Sequence, residues 1–423
     1  MKAHKINIIL FITLILGVGA LNLLVDNVSG EMNHENRIAQ PRPAFTMDQL
    51  FSGDLFRQYD QYVADHFVFR EEFIGLATKM ESMKNILWEE RAQIVSHQGT
   101  NTTQKAQSPR EEPSDILTAD GGGTLVNDQN FGRILIYGDR AMEIHIHNEM
   151  AISAYAQSLN HFSGHMPQQQ VYTMQVPTAI HFLEHSAYRE LSDDQPTTIA
   201  ALEEQLHQDI ISIDAVSNLE RHREEDLFFR TDHHWTARGA YYAYEAFMEQ
   251  TGRTPLKFDT FDRLESSGFL GSLYGATRSE TLAKAPDTIE IFLLPLSAEY
   301  WIHLQNASNQ LISGEIIDLS KLSGNQPYSV FLGGDQPLSV ITNIHADSDN
   351  TLLVVKDSYA NALIPFLVAH YREIHVIDPR LYTGQLAEYT SSHQIDEVLF
   401  LNYVLVHRYE GFVELLDELD QRL

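Results

Sequence analysis

The segment that decides the fold has the sequence LLVVKDSYANALIPFLV and spans residues 352–368. Its first four residues are apolar and include two valines, which is typical of a buried strand. The polar turn Lys356-Asp357-Ser358 follows, and the apolar stretch that ends at Val368 has the length of a short helix. A strand that leads through a polar turn into a helix is a building unit of parallel α/β sheets.

Ser358 is a candidate for chemistry because of its place at this junction. A serine between a strand and a helix lies near unpaired backbone N–H groups and the positive end of the helix dipole. Both features favour the oxyanion that forms during acyl transfer. A serine at a helix N-terminus also serves commonly as a cap, so the motif alone leaves both interpretations open.

The rest of the chain, from about Asn130 onward, alternates apolar runs of strand length with segments of helical spacing. This alternation predicts an α/β fold with a mostly parallel sheet flanked by helices. The predicted strands are Gln170 to Val176, Ile210 to Ile213, Ile289 to Leu293, Leu352 to Val355, Glu373 to Ile377 and Val398 to Asn402.

The densest polar cluster has the sequence RTDHHWT at residues 230–236, directly before a predicted helix from Ala237 to Gln250. Residues two apart on an extended segment share a face, so Asp232 and His234 point one way while His233 points the other. An aspartate beside a histidine fixes its tautomer and stabilises the imidazolium, as a serine nucleophile requires. Two other interpretations remain: a metal site of Asp232 with both histidines, and a structural cluster.

The composition excludes several classes of protein. Asp and Glu number 58 against 29 Lys and Arg, a formal charge of −29, which repels nucleic acid and anionic lipid and favours a neutral or cationic partner. The chain has no cysteine, so a disulfide, a thiolate zinc site and a cysteine nucleophile are excluded. An exported protein without cysteine suits the surface of a Gram-positive bacterium.

The N-terminus predicts export. Lys2 and Lys5 precede a mostly apolar run from Ile6 to Val25, roughly long enough to cross a bilayer. Residues 1–28 are therefore predicted to be a signal peptide or a membrane anchor, and the protein to be extracytoplasmic. Cleavage near Val18-Gly19-Ala20 would release a secreted product, whereas an uncleaved run would anchor the chain with its basic end inside. The alternative is a buried N-terminal helix.

Three further segments follow the N-terminal run. Residues 29–95 are predicted to form an extended linker and then helices, from Thr46 to about Trp88, that pack on the main domain. Residues 96–129 are polar and rich in Thr, Gln, Pro and Gly, which indicates a flexible loop. Residues 130–423 form the main domain.

Several motifs together resemble one family. Thr231-Asp232-His233-His234-Trp235, followed by Gly239-Ala240-Tyr241-Tyr242, resembles the signature of the DHHW protein family. That family is related to SGNH-hydrolase-like proteins of alginate O-acetylation, whose matching motif is Asp-x-His-Trp. The segments that also agree are Glu35-Asn36-Arg37, Asp65 to Arg70, Tyr328 to Asp335, Lys356 to Tyr359 and Ile377 to Arg380. The resemblance implies an SGNH-hydrolase-like three-layer α/β/α fold.

The resemblance also implies the roles of the site residues. Ser358 would be the nucleophile, His234 the general base and then acid, and Asp232 the orienter of the base. The family's Gly-Gly-Asn segment stands here as Gly333-Gly334-Asp335, so an amide donor is replaced by a carboxylate. The remaining candidates for the oxyanion or substrate site are Tyr359, Asn361, Asp335, Trp235 and Arg380, of which Trp235 and Arg380 have a structural role as the alternative.

The activity implied by the resemblance is transfer or hydrolysis of an acyl ester, with acetyl as the expected group, on an extracellular or cell-wall polysaccharide. No cofactor and no metal are expected. Related proteins work beside membrane-bound O-acyltransferases, which makes such an enzyme an expected partner. Two alternatives stay open: a catalytically degenerate protein that binds cell-surface polysaccharide, and a metal-dependent hydrolase built on Asp232 and the histidines.

Overall fold

The computed structural model describes residues 42–45, 54–68 and 123–421 except 129, 295–299, 306–310 and 409, together with single residues between 47 and 76. The helices are α1 Asp54–Asp65, α2 Glu149–His165, α3 Ser186–Arg189, α4 Gln195–Glu203, α5 Ala215–Arg221, α6 Ala237–Gln250, α7 Ser272–Thr277, α8 Glu280–Ala283, α9 Ala360–Leu367, α10 Leu386–Ser392 and α11 Glu410–Gln421. The strands are β1 Gly123–Asp128, β2 Gly132–Tyr137, β3 Arg140–Glu143, β4 Gln170–Val176, β5 Ile210–Ser212, β6 Asp262–Phe269, β7 Asp287–Leu293, β8 Tyr300–Gln305, β9 Leu311–Ser313, β10 Leu338–Asn343, β11 Thr351–Lys356, β12 Glu373–Ile377 and β13 Glu397–Tyr403. Short 3-10 helices lie at Ala179–Phe182, Phe258–Thr260, Leu319–Ser323, Pro327–Val330 and Val404–Arg408.

The main sheet has eight strands in the order β5-β4-β13-β11-β12-β10-β8-β9. The first five are parallel, and β10, β8 and β9 extend the sheet with antiparallel pairing. Five of the six strands predicted from the sequence lie in the parallel part. The sixth, Ile289 to Leu293, does not: it falls within β7, which pairs antiparallel with β6 in a separate sheet.

Helices cover both faces of the main sheet. Tyr172 of β4 lies in register with Leu399 of β13, so Tyr172 and Phe400 point to opposite faces. Phe247 of α6 contacts the Tyr172 ring, with centroids 5.4 Å apart, whereas Phe162 of α2 contacts the Phe400 ring at 5.5 Å. The two helices therefore lie on opposite faces, as a three-layer α/β/α arrangement requires.

A three-stranded antiparallel sheet of β1, β2 and β3 packs between the main body and α7. Its apolar residues alternate along β2: Ile134 and Ile136 join a cluster with Leu273 of α7, while Leu135 joins a cluster with Tyr188. Both faces of this sheet are thus buried. Residues 123–128, which the sequence analysis placed in the polar loop, form β1.

The predicted helical region from Thr46 to Trp88 is described in part, and α1 lies within it. The apolar N-terminal run lies outside the described residues. Among the helices that the structure describes, none combines the length and the apolar character needed to cross a membrane.

Candidate active site

Ser358 lies at the carboxyl end of β11, just before α9. All six residues of β11 are buried, so the strand is anchored on both faces and delivers the turn to a fixed place. Asp357 holds the turn: its Oδ1 accepts a hydrogen bond from the Tyr359 backbone N–H at 2.9 Å. Its Oδ2 accepts one from the N–H of Tyr403, the last residue of β13, also at 2.9 Å. The turn that carries Ser358 is thus tied to the neighbouring strand.

Asp232 and His234 lie on a hairpin-like turn whose arms pair through a β-bridge between Phe228 and Trp235. The buried Asp287 carboxylate at the start of β7 accepts hydrogen bonds from the backbone N–H groups of Arg230 and Thr231, at 2.9 and 2.8 Å. These contacts fix the backbone directly before Asp232. The separate sheet that contains β7 thereby supports the turn.

The structure brings Asp232, His234 and Ser358 together in one hydrogen-bonded row. Nδ1 of His234 lies 2.6 Å from Asp232 Oδ1, and Nε2 lies 2.8 Å from Ser358 Oγ. Asp232 is 3% exposed, His234 is fully buried and Ser358 is 7% exposed. The Asp232 carboxylate fixes the proton on Nδ1, so Nε2 is the nitrogen that accepts from the serine hydroxyl. This is the relative placement of orienter, base and nucleophile in a serine triad.

Both oxygens of the Asp232 carboxylate accept hydrogen bonds. Oδ1 also accepts the His234 backbone N–H at 3.0 Å, and Oδ2 accepts the Ser272 N–H at 2.7 Å. Burial opposes its ionised form, but the charge and hydrogen bond of His234 outweigh burial and hold the pKa of Asp232 well below its ordinary value. A Cβ on Gly271 would lie 2.2 Å from the Asp232 Cβ, so only glycine fits beside this carboxylate.

Tyr328 contacts both His234 and Ser358. Its ring stacks on the His234 imidazole with centroids 3.8 Å apart and an interplanar angle of 11°, and its hydroxyl donates to the Ser358 carbonyl at 3.3 Å. The sequence analysis noted Tyr328 only as the start of a segment that resembles the family. Its place beside the base depends on the fold of residues 327–335, for which local sequence gives no signal.

Trp235 and Tyr359 brace the two halves of the site. The indole Nε1 of Trp235 donates to the Tyr359 carbonyl at 2.8 Å, and the Tyr359 hydroxyl donates to the His233 carbonyl. The Tyr359 backbone N–H is held by Asp357. Both donors of Tyr359 therefore bind other groups of the protein, and its role as an oxyanion donor stays a prediction. Trp235 has the structural role that the sequence analysis gave as its alternative.

Asp335, Asn361 and Arg380 belong to a cluster of charged and polar groups beside the turn that carries Ser358. The Asp335 carboxylate accepts hydrogen bonds from Lys356 Nζ at 2.5 Å, Asn361 Nδ2 at 2.9 Å and Arg380 Nη2 at 2.7 Å. Arg380 and Lys356 also bind Asp378, which is buried. Two cations thus balance two carboxylates, and burial is outweighed by Lys356 and Arg380, which hold the pKa of Asp335 well below its ordinary value. The structure gives Asp335 a charge-balancing position and uses one Asn361 N–H there.

The three residues of the alternative metal site lie close together. One possible ligand atom from each of Asp232, His233 and His234 lies within 4.8 Å of the others. Both ring nitrogens of His234 are already within hydrogen-bond distance of protein oxygens, and Nδ1 of His233 lies 2.6 Å from Ser272 Oγ. A metal there would have to displace the contacts that join the three members of the row.

The comparisons with known proteins concern the family and the fold of the chain. A model of the DHHW protein family matches residues 110–377, more than half of the chain. The chain belongs to the DHHW protein family. A solved DHHW family protein from Eubacterium siraeum is similar to it, with 25% identity, 71% of this chain and 100% of that chain covered, and a TM-score of 0.62.

Two further solved structures resemble this DHHW family member. Bacillus cereus PatB1, determined with a sulfonyl adduct, has 18% identity and a TM-score of 0.57 over 66% of this chain and 98% of that chain. The O-acetyltransferase domain of Pseudomonas putida AlgJ has 15% identity over 70% of this chain and 99% of that chain, with a TM-score of 0.38. No curated protein sequence matches the chain.

Proposed function

We propose that this DHHW family protein catalyses serine-dependent acyl transfer to or from an extracellular or cell-wall polysaccharide, with acetyl as the acyl group. The observation that carries the proposal is the buried row in which His234 lies 2.6 Å from Asp232 and 2.8 Å from Ser358. A serine hydroxyl held on a buried, oriented imidazole is an activated nucleophile.

In the first half-reaction, Ser358 Oγ attacks the acyl carbonyl carbon while its proton passes to His234 Nε2. The tetrahedral intermediate then collapses: the bond to the leaving oxygen breaks, and His234 returns the proton to that oxygen. The Asp232 carboxylate stabilises the imidazolium between these two steps. The product of this half-reaction is an acyl ester on Ser358.

In the second half-reaction, His234 takes the proton of a sugar hydroxyl or of water, and that oxygen attacks the acyl ester. Collapse of the second intermediate returns the proton to Ser358 Oγ. A sugar hydroxyl as acceptor makes the enzyme a transferase, and water makes it an esterase.

The oxyanion would form at the N-terminus of α9. The Tyr359 N–H is held by Asp357, so among the described groups of this turn we assign the oxyanion to the Ser358 N–H, aided by the positive end of the α9 dipole. The remaining N–H of Asn361 Nδ2 is the second candidate donor.

PatB1 and the N-terminus support the rest of the proposal. The sulfonyl adduct of PatB1 fits a fold that holds a reactive nucleophile, and we assign that place in this chain to Ser358. The predicted signal or anchor would put the site outside the cytoplasm, where its polysaccharide substrate would be. We also propose a membrane-bound O-acyltransferase as the partner that supplies the acyl group.

The test is a burst assay of the purified protein with 4-nitrophenyl acetate, together with intact mass. We expect one acetyl group on the wild-type protein and none on Ser358→Ala, with nitrophenol release in the burst proportional to enzyme. Sugar acceptors added to the acetylated enzyme then separate transferase from esterase. Equal release and no adduct in both proteins would contradict the proposal.

The second candidate is a polysaccharide-binding protein without turnover. The observation in its favour is the Asp335 carboxylate, which stands where the family has an amide and accepts three hydrogen bonds from its own neighbours. The test is complementation of a strain that lacks the gene. If the Ser358→Ala protein restores wild-type behaviour in full, binding is favoured over catalysis.

A further inference from the structure

The first histidine of the Asp-His-His-Trp motif, His233, lies beside His234. The sequence analysis treated residues 232–234 as extended, which would point His233 away from its neighbour. The structure has a bend at these residues instead, so the alternation of an extended strand does not apply. The two imidazole rings lie with centroids 3.8 Å apart and an interplanar angle of 38°. The expectation that His233 points away is therefore wrong.

Both imidazole rings are oriented alike about the Asp232 carboxylate. Nδ1 of His234 lies 2.6 Å from Asp232 Oδ1, and Nδ1 of His233 lies 3.9 Å from the same oxygen. The outward directions of Nδ1 and Nε2 on an imidazole ring are nearly opposite, so both Nε2 atoms are turned away from Asp232. For His234 that side holds Ser358 Oγ, 2.8 Å from Nε2. Nε2 of His233 therefore lies toward the side on which a substrate would meet Ser358.

Ser272 fixes which nitrogen of His233 carries the proton. Ser272 Oγ lies 2.6 Å from Nδ1 and also accepts the His233 backbone N–H at 3.4 Å. This serine is buried, and among the described residues Nδ1 is the one acceptor within reach of its hydroxyl, so the O–H donates to Nδ1. Burial and the neighbouring His234 lower the pKa of His233 to about 3, so the ring is neutral at physiological pH. Its single proton is then on Nε2.

The Nε2–H group of His233 has no acceptor in the part of the chain that the structure describes. The His233 side chain keeps 12% of its surface exposed, whereas His234 keeps none. Two nearby hydroxyls are already occupied, because Tyr359 donates to the His233 carbonyl and Tyr328 to the Ser358 carbonyl. His233 therefore offers a neutral donor at the exposed edge of the site.

The chemistry of the second half-reaction assigns this donor to the acyl acceptor. The attacking hydroxyl gives its proton to His234 Nε2, so the acceptor oxygen must lie within hydrogen-bond reach of that nitrogen. The oxyanion, in contrast, is assigned to the Ser358 N–H at the N-terminus of α9. A side chain in ring contact with His234 thus meets the acceptor and not the acyl oxygen. A sugar carries a second oxygen next to the attacking hydroxyl, and water does not.

We propose that His233 donates from Nε2–H to an oxygen of the acceptor sugar next to the attacking hydroxyl, and so favours transfer to a sugar over hydrolysis. The inference rests on the proposed function and names the residue that selects its acceptor. The attacking oxygen forms the new ester bond while the bond from the acyl carbon to Ser358 Oγ breaks. The hydroxyl proton passes through His234 to Ser358 Oγ, and His233 keeps its own proton throughout.

The experiment forms the acetyl-enzyme with 4-nitrophenyl acetate and measures how the acetyl group divides between water and an added acceptor. Methyl α-D-glucopyranoside has oxygens next to each hydroxyl, whereas methanol has a single hydroxyl and no second oxygen. His233→Phe keeps a ring beside His234 and removes the donor. The ratio of transfer to hydrolysis should then fall about two- to tenfold for the glucoside and stay unchanged for methanol.

Two further variants separate the donor from the bulk of the side chain. His233→Asn keeps a polar group beside Ser272 but does not reach the position of Nε2, so it should lower the glucoside ratio as His233→Phe does, even where the latter fails to fold. His233→Gln reaches that position and should give a higher ratio than either. His222→Phe is the matched control, since His222 stacks on Tyr242 away from the site with centroids 3.6 Å apart, and it should leave both ratios unchanged.

The ratios are measured on acetylated molecules alone, so loss of some protein to misfolding does not alter them. A glucoside ratio equal to wild type in both His233→Phe and His233→Asn would overturn the inference, as would equal falls for the glucoside and methanol. The same holds if the wild-type acetyl-enzyme passes nothing to the glucoside. Absence of any acetyl-enzyme in the wild type would instead overturn the proposed function, and this inference with it, so the two failures are told apart.

Discussion

At the residue scale, the site depends on the two nitrogens of one buried imidazole. His234 has Asp232 on Nδ1 and Ser358 on Nε2, and no water-exposed surface remains on its side chain. Its tautomer is therefore fixed by the carboxylate and not by solvent. His233 differs: burial and the neighbouring His234 lower its pKa to about 3, so it is neutral at physiological pH.

Asp232→Asn tests the role of the orienter. The amide keeps the shape of the carboxylate, but its N–H group would face Nδ1 and favour the wrong tautomer of His234. We expect kcat for 4-nitrophenyl acetate to fall by roughly three to four orders of magnitude with the fold retained. Asp139→Asn, at an exposed carboxylate, is the matched control. Activity of Asp232→Asn within tenfold of wild type would contradict the triad.

Tyr328 gives a second test at this scale, because different substitutions remove its hydrogen bond alone or together with its ring stack. Tyr328→Phe keeps the stack on His234 and loses the hydrogen bond to the Ser358 carbonyl, so kcat should fall about two- to tenfold. Tyr328→Leu loses both contacts, and we expect a fall of roughly 10- to 100-fold. The control is Tyr371→Phe, a buried tyrosine that binds Glu397 away from the site, which should lower the unfolding temperature but not kcat. Equal kcat values for wild type, Phe and Leu would contradict a positioning role.

At the element scale, the carboxyl ends of β11 and β13 meet at Asp357. Its carboxylate accepts the N–H of Tyr359 after β11, the N–H of Tyr403 at the end of β13, and the side-chain amide of Asn402. Burial raises the pKa of Asp357 to about 6, against the effect of those hydrogen bonds and of Arg380. The buried carboxyl next to Ser358 in the chain therefore titrates near pH 6.

The sign of its effect on stability follows from the raised pKa. An unfolded aspartate has a pKa of about 3.9, so between pH 4 and 6 the folded protein holds a proton that the unfolded chain releases. The stabilisation from Asp357 is complete below about pH 4 and is lost as the pH rises through 6. In urea unfolding, the stability of wild type relative to Asp357→Asn should fall by on the order of 3 kcal/mol from pH 4 to pH 7. Parallel pH profiles for the two proteins would contradict the raised pKa, and Asp139→Asn controls for loss of a surface charge.

The sequence predicted the parallel strands well and the antiparallel ones poorly, for a physical reason. Parallel strands are buried on both faces, so β11 and β13 appear as continuous apolar runs. β7 has a similar apolar composition, yet it pairs with the largely exposed β6, and only tertiary context distinguishes the two cases.

The same limit applies to the site. The two-residue spacing of Asp232 and His234 and the junction at Ser358 are local patterns, so the row could be predicted from the sequence. The stacking of Tyr328 and the pairing of Asp335 with Lys356 and Arg380 join residues far apart in the chain. Local sequence holds no signal for either contact.

At the scale of the whole molecule, the folded protein must accommodate 58 acidic residues against 29 basic ones, a formal charge of −29. Several ion pairs bring acidic groups together with arginine, as where Arg238 contacts both Glu225 and Glu290. The acidic residues outnumber the basic ones two to one, so the excess carboxylates have no cation to pair with. These like charges repel one another more in the compact state than in the unfolded chain. Net repulsion of this kind lowers the stability of the fold.

Added salt should therefore stabilise the protein. Between about 0.01 and 0.15 M ionic strength the Debye length shortens from about 30 to 8 Å, so repulsion across the surface is screened. We expect the unfolding temperature to rise with NaCl by about 1 °C for each kcal/mol of repulsion removed. The rise should level off above about 0.15 M, because the surviving interactions are then shorter than the screening distance. A continuous linear rise to 1 M would instead indicate exclusion of salt from the surface, and a fall would show that the ion pairs of the fold outweigh the net charge.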